Sequence, residues 1–413
     1  MYCLRSNPMI RLLCGLALLM LNGCSLLEIS QQTEYVDKTG SIHGNIRIET
    51  GSEAPVHILL FTKRGFSPEL VRKYTLQGEG EFRFYAEQGT YFIAALQDIT
   101  RDNLYQQSEP ATLYGGESVF NARPLHMSPG GRIELETLTL KAPLAQKLNK
   151  NNISFDIAQD HTGEIVTLDD PRFSRELGTL GLWKPISFIN QVGAGLYPLE
   201  PPVADRIPVI FIHGAGGTPL EFAELVQGLD RTRFQPWVLH YPSGLRLDII
   251  SDYLVKSINL LENRYPVKAF YLISHSMGGL IMRSAVMKYR MSEHQPVIGL
   301  AMTINSPMDG MASAEYGVES SPIVIPSWRD IAKNSPFIRN IRDWPWPEDI
   351  PYHLVFSYES GEGDDGVVKL ESQIPLPLQA EATRLHGFNA GHANILRDPA
   401  FIQTFQRILA ENR

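Results

Sequence analysis

Cysteine is nearly absent. Of 413 residues three are cysteine, Cys3, Cys14 and Cys24, and all lie at the extreme N-terminus. Beyond that end, a disulfide-built scaffold is excluded. Long hydrophobic runs are also missing. The longest apolar stretch, residues 12–21, is broken by small residues and is shorter than the ~18–20 residues that span a bilayer. Basic runs are missing too. Lysine and arginine number 37 against 45 acids, a net charge of −8, which is not the electrostatic footprint of a nucleic-acid partner. No internal repeat, low-complexity tract or zinc-ligand spacing interrupts the chain. What remains is the composition of a soluble globular protein, long enough for two or three cores.

The first residues stand apart. Arg5 and Arg11 precede the apolar stretch 12–21, which has the proportions of a signal-peptide core. It runs into Leu21-Asn22-Gly23-Cys24-Ser25, which resembles a bacterial lipobox, although Asn22 is not the commonest residue at its place. The resemblance implies cleavage before Cys24 and a lipid on its thiol. Ser25, in place of Asp, resembles the signal for sorting onward to the outer membrane. Met9 offers a second start with a more compact leader. The expectation is a lipid-anchored protein of the bacterial envelope, with residues 1–23 as leader and the polar residues 24–40 as a tether.

From residue 41 to about 140 the pattern is all strand. Ile42, Gly44, Ile46 and Ile48 alternate with polar residues, and so do Phe82 and Phe84. Turn residues such as Gly51-Ser52, Gly78-Glu79-Gly80 and Pro129-Gly130-Gly131 separate the runs. About seven short strands without a helical stretch predict a β-sandwich. Residues 80–84 and 89–95 resemble the carboxypeptidase-regulatory or transthyretin-like sandwich. Asp98, Asp102 and Asn103 lack a calcium-ligand spacing, and the sandwich is read as a spacer or docking module. Residues 141–205 read as a connector. Within it Asp169-Asp170-Pro171 marks a helix start, and Leu199-Glu200-Pro201-Pro202 a boundary.

Beyond residue 206 strands and helices alternate. Strands are predicted over 207–212, 234–241, 269–273, 297–304 and 352–357, and helices over 220–229, 247–264, 280–288 and 401–409. This order predicts an α/β domain, a mostly parallel sheet flanked by helices.

Four stretches of this domain carry chemistry. In Ser274-His275-Ser276-Met277-Gly278-Gly279 a buried strand turns straight into a helix, which leaves Ser276 at the apex of a strained bend. Ser274 replaces the first glycine of the usual G-x-S-x-G. Upstream, His213-Gly214-Ala215-Gly216-Gly217-Thr218 follows the first strand of the alternating pattern. The Lys-Ser/Thr of a phosphate-binding P-loop is not there. Downstream stand Gly363-Asp364-Asp365-Gly366-Val367-Val368 and Gly391-His392-Ala393-Asn394. A serine hydroxyl needs a base, the base needs an acid, and the oxyanion needs N–H donors.

Oxyanion loop, serine, acid and histidine in this order resemble an α/β-hydrolase of the lipase/esterase type. Bacterial triacylglycerol lipases and GPI-inositol-deacylase-like members are the nearest in kind. The resemblance covers residues 206–413, about half of the chain. It implies Ser276 as nucleophile, Asp365 as acid, His392 as base, and the N–H groups of Ala215 and Met277 as oxyanion donors. Asp364 and Asp309 stay open as alternative acids and His386 as an alternative base. His213 and His275 are read as structural hydrogen-bonding groups. The implied activity is hydrolysis of carboxylic esters, lipid acyl esters above all, without metal or cofactor. Acyl transfer by the same residues, or a non-enzymatic envelope lipoprotein, are the alternatives. An insertion at about 307–350, with Trp328, Phe337, Trp344 and Trp346, reads as a cap that lines an acyl pocket over Ser276.

Overall fold

The computed structural model describes residues 26–412, apart from 53, 65–66, 102–105, 107, 117–120, 142–159, 266, 291–296 and 360–362. The leader, Cys24, Asp102 and Asn103 lie outside the described residues.

The N-terminal domain is two packed β-sheets. Strands β1 (Gly40–Ile48), β4 (Gly80–Ala86), β8 (Arg132–Glu134) and β9 (Leu138–Leu140) form one. Strands β2 (Val56–Arg64), β3 (Ser67–Leu76), β5 (Gly89–Gln97), β6 (Ala111–Leu113) and β7 (Leu125–Met127) form the other. Period-2 alternation puts Ile42, Ile46, Phe82 and Phe84 of the first sheet against Val56, Ile58, Leu60 and Ile93 of the second.

The C-terminal domain is a seven-stranded sheet in the order β10-β12-β11-β13-β14-β15-β16. The strands are β10 (Gly195–Pro198), β11 (Ile207–Ile212), β12 (Phe234–His240), β13 (Ala269–His275), β14 (Val297–Ile304), β15 (Tyr352–Tyr358) and β16 (Arg384–Asn389). Only β10 runs antiparallel to its neighbour in this sheet. Along β11, Ile210 and Ile212 face one core while Val209 and Phe211 face the other. Burial on both faces explains why such strands read as continuous apolar runs. The chain passes from β11 out to β12 and back across to β13. The loops after β11 and β13 therefore open a crevice between them, where open α/β sheets place their sites.

Three expectations are corrected. First, residues 26–38 are a docked helix rather than a tether. Val36 is buried in the core cluster that also holds Leu245, Leu247 and Ile250. Gln32 accepts hydrogen bonds from the N–H of Ile186 and Ser187 at 3.0 and 3.2 Å, and Glu28 pairs with Lys184 at 2.6 Å. Gln32 thereby caps the helix Pro185–Gln191, whose own N-cap residue, Lys184, offers no side-chain acceptor. Second, the C-terminal domain starts before residue 206. β10 pairs with β12, and Asp160 forms an ion pair with Lys256 at 2.8 Å. Third, the expected cap aromatics help complete the core. Trp346 is buried, stacked 4.7 Å from Tyr352 and 5.4 Å from the guanidinium of Arg283. Helix Ala312–Ser320, by contrast, has no buried residue, and its Tyr316 is exposed.

The sandwich docks on the C-terminal domain through charge. Arg83 bonds Asp248, and the Tyr85 hydroxyl donates to Asp252 at 2.7 Å. Lys288, on the helix that follows β13, pairs with both acids at 2.7 and 2.6 Å.

Candidate active site

β13 ends at His275 and helix Met277–Tyr289 begins two residues later, so Ser276 alone makes the turn. Its backbone has φ 53° and ψ −130°, a strained conformation for a residue with a side chain. The Ser276 N–H is held by Ile304 O at 2.8 Å. Crowding fixes the glycines that follow. A Cβ on Gly278 would lie 2.3 Å from Ile212 O, and one on Gly279 2.1 Å from Ser306 Oγ. Ser274 is tolerated in place of glycine because its hydroxyl donates to Met302 O at 2.9 Å.

The loop after β11 passes directly against this turn. A Cβ on Gly214 would stand 2.9 Å from Ser276 Cβ. The N–H groups of Gly214, Gly216 and Gly217 donate to Glu221 Oε1, Ser243 Oγ and Gly214 O, at 3.2, 2.9 and 3.2 Å. For the N–H of Ala215, no acceptor is found among the described residues. Met277 is the first residue of the helix, where N–H groups have no intrahelical partner.

The acid and base come from the far ends of β15 and β16. His392 Nε2 lies 2.9 Å from Ser276 Oγ, and His392 Nδ1 lies 2.7 Å from Asp365 Oδ2. Asp365 is buried, and its Oδ1 accepts the N–H of Val367 and Val368 at 2.9 and 2.7 Å. The Asp365 carbonyl also accepts His392 N–H at 2.8 Å. One hydrogen-bonded chain thus runs Ser276–His392–Asp365. With Nδ1 donating to a carboxylate, Nε2 is left as the acceptor that can take the serine proton.

The alternatives lie elsewhere. Asp364 Oδ1 accepts the N–H of Gly366 at 2.9 Å within its own turn. Asp309 pairs with Arg342 at 2.8 Å. His386 sits on β16, a strand the sequence reading missed, 3.1 Å from His353. His213 stacks on Tyr241, ring centroids 4.1 Å apart, and burial lowers its pKa. Asp98 lies 3.3 Å from His57 within the sandwich.

The match to known proteins follows this topology. Residues 207–322 match a family model described as the alpha/beta hydrolase fold. The C-terminal domain has the α/β-hydrolase fold. Fold and family match together support a hydrolase. A solved structure of a Listeria innocua gene product is similar at 18% identity, over 51% of this chain and 96% of its own, with a TM-score of 0.41. Aspergillus fumigatus lipase B is similar at 20% identity, over 50% of this chain and 53% of its own, with a TM-score of 0.40. A Pyrococcus furiosus esterase is similar at 16% identity, over 50% and 80%, with a TM-score of 0.37. No curated protein sequence matches the chain.

Two residues of the hydrolase domain's site were not singled out from the sequence. Asn305, at φ 50°, donates from Nδ2 to Ser357 Oγ at 2.7 Å and to His392 O at 3.1 Å. Glu221 lies 3.1 Å from His275 Nδ1 and accepts the Gly214 N–H with the same oxygen. Both act through contacts made by distant parts of the chain. A signal for Asn305 does exist, since asparagine is the residue most tolerant of the left-handed region after glycine.

Proposed function

We propose that this protein is a serine-dependent hydrolase of carboxylic esters. The observation that supports it most is the hydrogen-bonded chain from a strained Ser276 through His392 to buried Asp365. In this reading Ser276 Oγ attacks the ester carbonyl while His392 Nε2 takes its proton. The N–H groups of Ala215 and Met277 receive the oxyanion. His392 then protonates the leaving alcohol, and an acyl group stays on Ser276. Water, deprotonated by His392, attacks that acyl-enzyme and releases the acid. Asp365 holds the Nδ1–H tautomer and stabilises the imidazolium.

The substrates proposed are acyl lipids of the bacterial envelope, with Cys24 carrying the lipid anchor and Ser25 directing the protein to the outer membrane. Diacylation with a further acyl chain gives stable attachment where a single chain does not. Two experiments test these readings. Turnover of p-nitrophenyl esters should fall far more in Asp365→Asn and His392→Ala than in Asp364→Asn and His386→Ala. The reverse ranking would reassign the acid and base. Palmitate labelling in cells should disappear in Cys24→Ala, and labelling that survives would remove the anchor from the account.

A further inference from the structure

His275 precedes the nucleophile and is buried, yet it takes no part in the chemistry described above. Both its ring nitrogens face acceptors. Nε2 lies 3.0 Å from His392 O, and a carbonyl can only accept, so Nε2 carries a proton. Nδ1 lies 3.1 Å from Glu221 Oε1. That oxygen also accepts the Gly214 N–H at 3.2 Å, the role of an ionised carboxylate, which can only accept. Nδ1 therefore carries a proton as well. Gly217 leaves the space for this acid, since a Cβ there would lie 2.5 Å from Glu221 Oε2.

We propose that His275 is an imidazolium paired with the Glu221 carboxylate, and that the two are positioning residues that lock the oxyanion loop to the backbone of the catalytic base. This rests on the triad reading of Ser276, His392 and Asp365. Glu221 grips Gly214, next to the proposed donor Ala215. His275 grips the carbonyl of His392 itself. Asn305 Nδ2 donates to the same carbonyl at 3.1 Å, so His392 is held from two sides.

The His275 and His392 rings lie with centroids 4.9 Å apart. The titratable groups facing His275 are Glu221, His392 with Asp365 behind it, and His213 at the end of β11. Burial disfavours the cationic ring, but Glu221, the His392 carbonyl and Asp365 together raise the His275 pKa.

The test uses the full chain and two readouts. Nitrogen-15 NMR of the histidine side chains should show both His275 nitrogens protonated in the wild type at pH 7.5. In Glu221→Gln the ring should be neutral, because one amide oxygen cannot replace the carboxylate's charge. In p-nitrophenyl butyrate hydrolysis, Glu221→Gln should lower kcat by roughly 10- to 100-fold with KM little changed. A purely structural role would not split kcat from KM in this way. A neutral His275 in the wild type, or a Glu221→Gln enzyme with unchanged kcat, overturns the proposal. Ser276→Ala separates the two levels of the argument. Hydrolysis that survives it overturns the triad reading, whereas the NMR state of His275 reports on the pair in either case.

Discussion

Replacing Arg283 with methionine would remove a buried cation from the helix that carries Ser276. Arg283 has no solvent exposure. Its Nε donates to Ile341 O at 2.6 Å, and Nη2 donates to Trp344 O at 2.8 Å and to Glu381 Oε2 at 2.7 Å. The guanidinium lies 5.4 Å from the Trp346 ring. One side chain thus ties the nucleophile helix to the end of the 307–350 insertion and to helix Leu376–Glu381. Methionine keeps most of the volume but leaves two carbonyls and a carboxylate short of a donor. Breaking a buried pair from one side costs about 3–5 kcal/mol. For a domain of this size that is a fall in melting temperature of roughly 10 °C. Urea unfolding of the two proteins, followed by tryptophan fluorescence, gives the difference. Arg283→Met combined with Glu381→Gln should recover part of the loss, because no unpaired charge is then left behind. A single variant within about 1 kcal/mol of wild type would show that the insertion is held by other contacts, and would refute the reasoning.

Other expected outcomes follow from the same coordinates. Gly278→Ala drives a Cβ to 2.3 Å from a backbone oxygen, so the turn must move; ester turnover should fall by about 100-fold while the protein still folds. Turnover near wild type would show that the turn has slack. Arg83→Leu with Tyr85→Phe removes the sandwich's bonds to Asp248 and Asp252, and calorimetry should then resolve separate transitions for the two domains. A single unchanged transition would place the coupling elsewhere. Burial raises the Glu262 carboxyl to about 8, against about 4.3 in an unfolded chain. The native state therefore keeps a proton that the unfolded chain has released, and stability from this group is lost as pH rises from about 4.5 to about 8. Glu262→Gln should raise the melting temperature at pH 8 and change it little at pH 4; equal effects at both would contradict the assignment.

Local signals in the sequence carried far. The strand-to-helix turn at Ser276 is set by neighbours in the chain, and so are the glycines at 214 and 278. The helix Leu247–Arg264 and the strand Val297–Ile304 match their periodicity end to end. Signals made by tertiary contact did not show. Residues 26–38 are polar enough to read as a tether, because hydrogen bonding by Gln32 and Glu28, and not only an apolar stripe, docks them. β16 is a short edge strand with exposed Arg384 and Leu385, and has no apolar run to mark it. Trp344 and Trp346 were read toward a substrate because no sequence pattern announces that Arg283 is waiting for them. Glu221 was overlooked for the same reason, its partner His275 lying far along the chain.

The most direct measurement is site-mapped labelling with a fluorophosphonate. The full chain is treated with the probe, digested, and the adduct located by mass spectrometry. One adduct, on Ser276, is predicted, lost in Ser276→Ala and strongly slowed in His392→Ala. An unlabelled wild-type protein, or an adduct on another residue that persists in Ser276→Ala, would contradict the account.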